Sequence, residues 1–283
     1  MNLIANMPVR NADWVLGLSA RAALQWCDSL VLFLHACVDR SAEIARKVAG
    51  EYPDRVQVLT EDNPKWLEMD YRQRMLDYSR GLGATHIAIA DADEVLTGNV
   101  LGSIRGMIES APAEAVSASP LYNLRSGIEQ YHSNGIWGYR RVPVAFQDAP
   151  HLHWTGDRWH HREPMGSVAG GHLLMPHGAG GLMHLWGASE RRLKAHHAHY
   201  KLSERERWPQ KSIAEIDGMY SLAVRGGDQW IFAPVPDEWW EPYSPWMGSL
   251  DLNAEPWEEA ECRKILARSP GIERGLDLFG VVA

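Results

Sequence analysis

The sequence predicts an α/β protein, with a doubly wound, mostly parallel, Rossmann-like sheet in its N-terminal half and a smaller, irregular, aromatic-rich C-terminal part. Three observations predict it. Short apolar runs alternate with longer segments of helical period through roughly the first 120 residues. Two of the runs, SLVLFLH (29–35) and HIAIA (86–90), are continuous rather than alternating, the mark of strands covered on both faces. The aromatic residues are lopsided: of 13 Trp only Trp14, Trp26 and Trp66 precede Trp137, and eleven of 13 His fall from His132 onward. The chain thus divides into halves 1–120 and 121–283 of different chemistry, expected to form one continuous domain.

The elements follow in order. Residues 2–6 (NLIAN) form a short strand ended by the breaker Pro8. Residues 11–26 form a helix, with Trp14, Leu18, Ala22 and Trp26 on one face. The strand 29–35 is followed by a helix 40–51, a strand 55–59 (RVQVL) and a long helix 65–81 that aligns Leu67, Tyr71, Met75 and Tyr78. After the strand 86–90 come a helix 99–109 and a strand 114–119. This β-α-β order implies right-handed crossovers and a mostly parallel sheet. Later, GIWGYRRVPVAF (135–146) and GHLLMP (171–176) read as strands, Ser189 caps a helix running to Lys201, residues 237–246 form a Trp-rich loop, and residues 255–267 form a helix.

Composition excludes several classes. An apolar content of 45% with 23% charged residues is that of a globular chain, not a disordered one. No apolar run approaches the roughly 20 residues that span a bilayer. The N-terminus is too soon interrupted for a signal peptide, and three scattered Cys make no metal spacing and no complete disulfide set. A cytoplasmic location is expected. A net charge of −8 opposes nonspecific binding to nucleic acid or anionic lipid. There is no GxGxxG after the first strand and no GxxxxGK[ST], which excludes the usual dinucleotide and P-loop sites.

Ligands of such sheets bind beyond the C-terminal strand ends. Three strand ends matter here: Met7–Asn11, His35–Asp39 and Asp91-Ala92-Asp93-Glu94. In the last, two carboxylates separated by one residue leave a buried strand together. They can converge on one hard cation, Mg²⁺ or Mn²⁺, shared with a nucleotide diphosphate. The alternative is a solvated acidic turn.

At this point the residues resemble a known family. GATHIAIADADEVLTGN (83–99) is similar to the segment around the DxD motif of family 2 glycosyltransferases, which have the GT-A fold. Pro8-Val9-Arg10-Asn11-Ala12-Asp13 resembles the opening "vRNE" of that family. Residues 28–46 resemble its second strand and "gStD" turn, and residues 66–80 its following helix. The likeness covers roughly residues 1–110 and is closest to members that carry DADE. It implies a donor-binding half 1–120, with Pro8, Arg10, Asn11, Asp39, Asp91 and Ala92 at the nucleotide and Arg72 or Arg74 near the diphosphate. It also implies a metal held by Asp91 and Asp93. Two departures stand out: His35-Ala36 replaces the acid that usually holds the base, and Ala12 interrupts the usual RNE. A helix face paired with Glu68 and Asp70 explains Arg72 and Arg74 equally well, and a helix cap explains Asp39.

The half 121–283 is expected to hold the acceptor. His161-Arg162-Glu163 is a loose match to the family's "vHE" segment, about seventy residues past DxD. Transfer to a hydroxyl needs a general base; Glu163 is the first candidate and Asp157 the second, with salt bridges to Arg158 and Arg162 as the alternative. His184 ends a short apolar run and is the candidate third metal ligand beside Asp93, or else a core residue. Trp159, Trp186, Trp239 and Trp240 are candidates for acceptor binding, because aromatic faces pack on sugar C–H faces; core packing is the other reading. The paired His residues 160–161 and 196–197 lack a zinc spacing.

The expected function is therefore metal-dependent, inverting transfer of a sugar from a UDP- or GDP-sugar, with Mn²⁺ or Mg²⁺ as cofactor. The acceptor is a glycan or, as a minority option, a hydroxymethylated base of phage DNA met by Arg140-Arg141, Arg191-Arg192-Lys194 and Arg205–Arg207. Rival readings are a non-catalytic carbohydrate-binding protein and a nucleotidyltransferase.

Overall fold

The computed structural model describes residues 1–158, 161–226 and 229–282. In chain order the elements are β1 (Leu3–Val9), α1 (Leu16–Ala23), β2 (Ser29–His35), α2 (Ser41–Glu51), β3 (Val56–Glu61), α3 (Glu68–Gly81), β4 (His86–Ile89), β5 (Glu94–Leu96), α4 (Ile104–Glu109), β6 (Ala115–Asn123), β7 (Gln130–His132), α5 (Gly135–Gly138), β8 (Arg141–Gln147), β9 (Val168–Leu173), β10 (Leu182–His184), α6 (Glu190–Arg207), α7 (Ile213–Arg225), β11 (Phe232–Pro234), α8 (Asp237–Trp240) and α9 (Trp257–Arg268). They divide into two units. The first is Met1–Tyr122, Tyr139–His184 and Pro236–Asp251; the second is Asn123–Gly138, Leu185–Val235 and Leu252–Ala283.

The first unit is an α/β fold on a mostly parallel sheet of order β3-β2-β1-β4-β8-β6-β10-β5, with β9 also on β6. The β3-β2-β1-β4 portion is parallel throughout, with α1, α2 and α3 as crossovers. β8 runs antiparallel to both β4 and β6. β2 is buried at every residue but Ser29, as its unbroken apolar run requires. Phe33 of β2 stacks on Tyr71 of α3 at 5.0 Å, with Ile4, Val31 and Met75 around them. A second cluster, Met69, Leu76, Ile87, Ile89, Phe146 and Trp154, fills the space below β4 and β8.

Pro8 does not end the first strand. β4 stops at Ile89, opposite Asn6, so beyond Asn6 one edge of β1 has no ladder partner there, and a residue without an N–H costs nothing on that side. The helix expected at 11–26 is only α1. Asn11 adopts φ 50° and its side chain accepts from the Val38 N–H at 2.7 Å, so residues 11–15 form a turn instead. The expected helix 99–109 begins as a separate 3₁₀ turn, Gly98–Val100, before α4. Of 135–146, the first four residues are the helical turn α5 and only β8 is strand. The strand expected at 171–176 lies earlier, as β9.

The Trp-rich segment is helical rather than a loop: α8 leads into the 3₁₀ run Glu241–Ser249. It packs within the first unit. Tyr243 is fully buried and donates to the Leu96 carbonyl at 2.7 Å. Gly98 permits the approach, because a Cβ there would lie 2.5 Å from Pro242.

The second unit packs α6, α7 and α9 with the chain end. Ala198, Leu202, Cys262 and Ile265 form its apolar centre. Lys201 is wholly buried and donates to Asp217, Ser221 and the Asp277 carbonyl at 2.7–2.9 Å, which offsets the burial of its charge. Ser212 and Glu215 close a capping box on α7. A two-stranded ribbon, β7 with β11, completes it.

Two buried histidines in this unit carry a pH dependence. Burial, then the Arg125 charge, pushes His132 down to about 4. Burial, then His196, Lys201 and Arg125, pushes His197 down to about 3. Unfolded, each binds a proton near 6.5. Below that pH the unfolded chain holds more protons, so stability is full above about 6.5 and falls toward about 4, at up to about 1.4 kcal/mol per pH unit for each histidine. Urea denaturation from pH 7 to 4.5 is expected to show this fall, and the paired change His132→Leu with His197→Leu to flatten it.

Candidate functional site

The site forms where β1, β2 and β4 end. β4 delivers Asp91-Ala92-Asp93 into a turn that β5 closes: the Glu94 N–H donates to the Asp91 carbonyl at 3.1 Å, and the Asp91 N–H to the Glu94 carboxylate at 3.2 Å. β10 pairs antiparallel with β5 and sets His184 opposite Glu94. The register therefore brings the imidazole to Asp93, with Nε2 and Oδ2 3.4 Å apart. Burial opposes charge on His184, but the Asp93 carboxylate, then Glu94 and Asp91, outweigh it and raise its pKa above the ordinary histidine value.

Arg162 is the residue that sequence reasoning missed as part of this cluster. Its guanidinium donates to Asp91 at 2.9 Å, to Glu94, and to the Ile89 carbonyl at 2.9 Å. Burial opposes its charge, but Asp91 and Glu94 hold it firmly protonated. Arg72, also buried, binds Glu68 at 3.0 Å and lies 3.5 Å from Asp91. Asp91, expected to share a metal with Asp93, is thus held by two arginines. Among the described residues, Glu68, Asp91, Asp93 and Glu94 meet the Arg72 and Arg162 guanidiniums and the His184 imidazole around this turn. The signal in the sequence was the acidic run itself: three carboxylates leaving a buried strand call for counter-charge, and Arg162 stands beside the candidate base.

Arg74, the other donor candidate of α3, turns elsewhere. It binds Glu61 at 2.8 Å and covers the Phe33 ring. At the end of β1, Arg10 bonds His35 at 3.1 Å and the Pro64 carbonyl at 3.0 Å. His35 is buried beneath Tyr71 and Trp66, and burial followed by Arg10 lowers its pKa. Asp39 accepts from the Ser41 and Asp13 N–H groups at 2.9 and 3.0 Å, tying the ends of β1 and β2 together. Pro8 lies in β1 and Ala92 within the acidic turn.

Glu163 follows Arg162 directly and accepts from Ser167 at 3.0 Å; Arg162 is engaged by Asp91 and Glu94 instead. Asp157 is exposed. Arg80 secures the chain leading to this segment by a two-pronged pair with Asp148 and bonds to the Ala149 and Leu152 carbonyls.

Among the aromatic candidates, Trp159 lies outside the described residues. Trp239 is buried against Tyr122 at 4.5 Å and is a core residue. Trp240 is half-buried beside Tyr243, and Trp186, in the second unit, packs on Trp137 and His197. The basic residues of α6 are drawn into local contacts: Arg191 pairs with Glu259 at 2.7 Å, and Arg205 donates to the Lys211 carbonyl at 2.6 Å.

Among the described residues no group of three or more His, Cys, Asp and Glu gathers tightly enough to hold a metal ion alone. Asp93 and His184 form a two-donor set. That fits a Mg²⁺ or Mn²⁺ whose other ligands are phosphate oxygens and water, not a self-contained metal centre.

No protein-family model matches the chain, and no curated protein matches it. Solved structures do. One is Staphylococcus aureus TarS, at 14% identity over 50% of this chain and 23% of that one, with a TM-score of 0.35. Another is S. aureus TarS 1–349 in complex with UDP, at 12% identity over 48% and 38%, with a TM-score of 0.35. A third is 4-diphosphocytidyl-2C-methyl-D-erythritol synthase, at 18% identity over 51% and 74%, with a TM-score of 0.34. The chain spans well under half the length of these TarS structures. Among the described residues no helix is long and apolar enough to cross a membrane.

Removing Arg162 takes the bonded guanidinium from the buried Glu94 and one of two arginines from Asp91. Arg162→Met is expected to lower unfolding stability by about 3 kcal/mol, measured in urea at pH 7, and Arg162→Lys by less.

Proposed function

We propose that this chain is a glycosyltransferase that moves a sugar from a nucleotide-diphospho-sugar to an acceptor hydroxyl. The observation that carries the reading is the Asp93–His184 pair, 3.4 Å apart, at the C-terminal end of a parallel sheet. In this reading Asp93 and His184 hold Mg²⁺ or Mn²⁺. A cation held there would supply charge neutralisation for the departing nucleotide diphosphate.

The protein's own groups divide the remaining work. Arg72 and Arg162 fix Asp91 against the turn, so its carboxylate meets the donor in one orientation. Arg10, Asn11 and Asp39 at the ends of β1 and β2 form the nucleoside cradle; with His35 in place of an acid there, the donor is a UDP- or GDP-sugar whose base is held differently from the usual case. The acceptor oxygen attacks the anomeric carbon as the bond from that carbon to the diphosphate breaks. The hydroxyl proton passes to Glu163, and in-line attack inverts the anomeric configuration. Ser167 steadies one Glu163 oxygen and leaves the other for the proton. A glycan is the acceptor we favour.

Two tests follow. In thermal-shift assays with UDP, GDP and their sugars, one nucleotide is expected to stabilise the protein more with Mn²⁺ than without, and Asp93→Ala or His184→Ala to remove the Mn²⁺-dependent part. No shift with any nucleotide overturns the reading. Glu163→Gln is expected to slow sugar transfer at least about 100-fold while leaving the nucleotide shift unchanged.

A further inference from the structure

The second unit contains a groove of about 490 Å³ that the transferase reading does not use. Arg125, Ser126, Gln130, Glu190, Arg225, Trp230 and Phe232 line it. All of them lie in that unit.

The groove is built rather than incidental. Trp230 is pinned by the edge of His132, whose ring centre lies 4.7 Å away. Its far ring edge rests on Gly226, where a Cβ would stand 3.3 Å from it; Gly226 also has φ 63°, so this position suits glycine twice over. Phe232 packs on the same His132 ring at 4.8 Å yet stays 37% exposed. Two aromatic side chains are thereby held firmly with surface left for a ligand.

Arg125 supplies the polar wall. It donates to the Ala223 carbonyl at 2.8 Å and to the Val224 carbonyl at 3.5 Å, both in the last turn of α7. Its acidic neighbour Glu190 stands 3.9 Å away, beyond hydrogen-bond reach. The guanidinium is only 12% exposed, so water screens its charge poorly. Its field reaches His132 and His197, where, after burial, it adds to the pressure toward the neutral form. Arg225, by contrast, is satisfied by Asp277 at 2.6 Å. Gln130 and Glu190 bring planar amide and carboxylate groups to the same groove, the kind that bond hydroxyls well.

We propose that this groove binds an anionic saccharide: a sugar ring lies against Trp230 and Phe232, its carboxylate or phosphate meets Arg125, and Gln130 and Glu190 take its hydroxyls. The aromatic faces supply apolar contact with sugar C–H groups, and the charge-assisted bond to Arg125 supplies selectivity for an anion.

Calorimetric titration of the full chain, without nucleotide or cation, tests this. The probes are glucuronate, glucose 6-phosphate, glucose and inorganic phosphate. At least one charged sugar is expected to bind about tenfold more tightly than glucose, since a hydrogen bond to a charged group exceeds a neutral one by that order; whichever charged sugar binds better identifies the anion. Phe232→Ala, at an exposed position, and Trp230→Ala are expected to weaken that sugar at least fivefold. Arg125→Gln is expected to erase the preference over glucose, and circular dichroism reports whether each variant is folded. Equal binding of glucose and the charged sugars, inorganic phosphate binding as well as glucose 6-phosphate, or unchanged affinity in folded Phe232→Ala overturns the proposal. Donor binding in the thermal-shift assay is a separate readout, so either can fail alone.

Discussion

The structure around the acidic turn depends on charge compensation at the end of β4. A strand that is buried along its length leaves the sheet into three carboxylates within four residues, with Glu68 of α3 as a fourth close by. Such groups cannot share a poorly solvated space unless cations meet them. Arg162 and Arg72 do so from opposite parts of the chain, one from the segment after β8 and one from α3. Their bonds fix Asp91 and Glu94 and leave Asp93 turned toward His184. The same contact seats the segment carrying Glu163 beside the turn, because Arg162 is its immediate neighbour. One electrostatic requirement thus sets the conformation of the turn and the place of the candidate base.

The legible parts of the fold were those with local causes. β2 and β4 are unbroken apolar runs, and both form central strands. The helix 40–51 and the long helix ending at Gly81 follow their periodicity with small shifts at the start. The parts misread have non-local causes. Pro8 continues its strand only because β4 stops short of it, a fact of sheet register. The helix after β1 begins late because Asn11 bonds the backbone of Val38, 27 residues on. The Trp-rich segment is helical because Tyr243 and Trp239 are buried within the first unit, and periodicity in so short a stretch cannot announce that.

The site divides the same way. A DxD turn after a buried strand is readable from composition and placement, and His184 from its position at the end of an apolar run. What joins them is the antiparallel pairing of β10 with β5, which sequence alone does not specify. The sequence offers Arg162 only as a salt-bridge partner of Glu163 or Asp157, because its true partners lie about seventy residues earlier in the chain. The excess of Trp likewise resolves into separate causes: Trp154 and Trp239 fill the core of the first unit, while Trp230 keeps part of its surface at a groove in the second.

The central claim is that Asp93 and His184 bind a divalent cation jointly with a nucleoside diphosphate. The most direct measurement is a Mn²⁺ titration followed by the EPR signal of the free ion, with and without UDP or GDP. If the cation is shared, a nucleoside diphosphate tightens Mn²⁺ binding to the native chain by a factor that His184→Ala abolishes. Mn²⁺ binding that is absent, or that is the same with and without nucleotide in both proteins, contradicts the account.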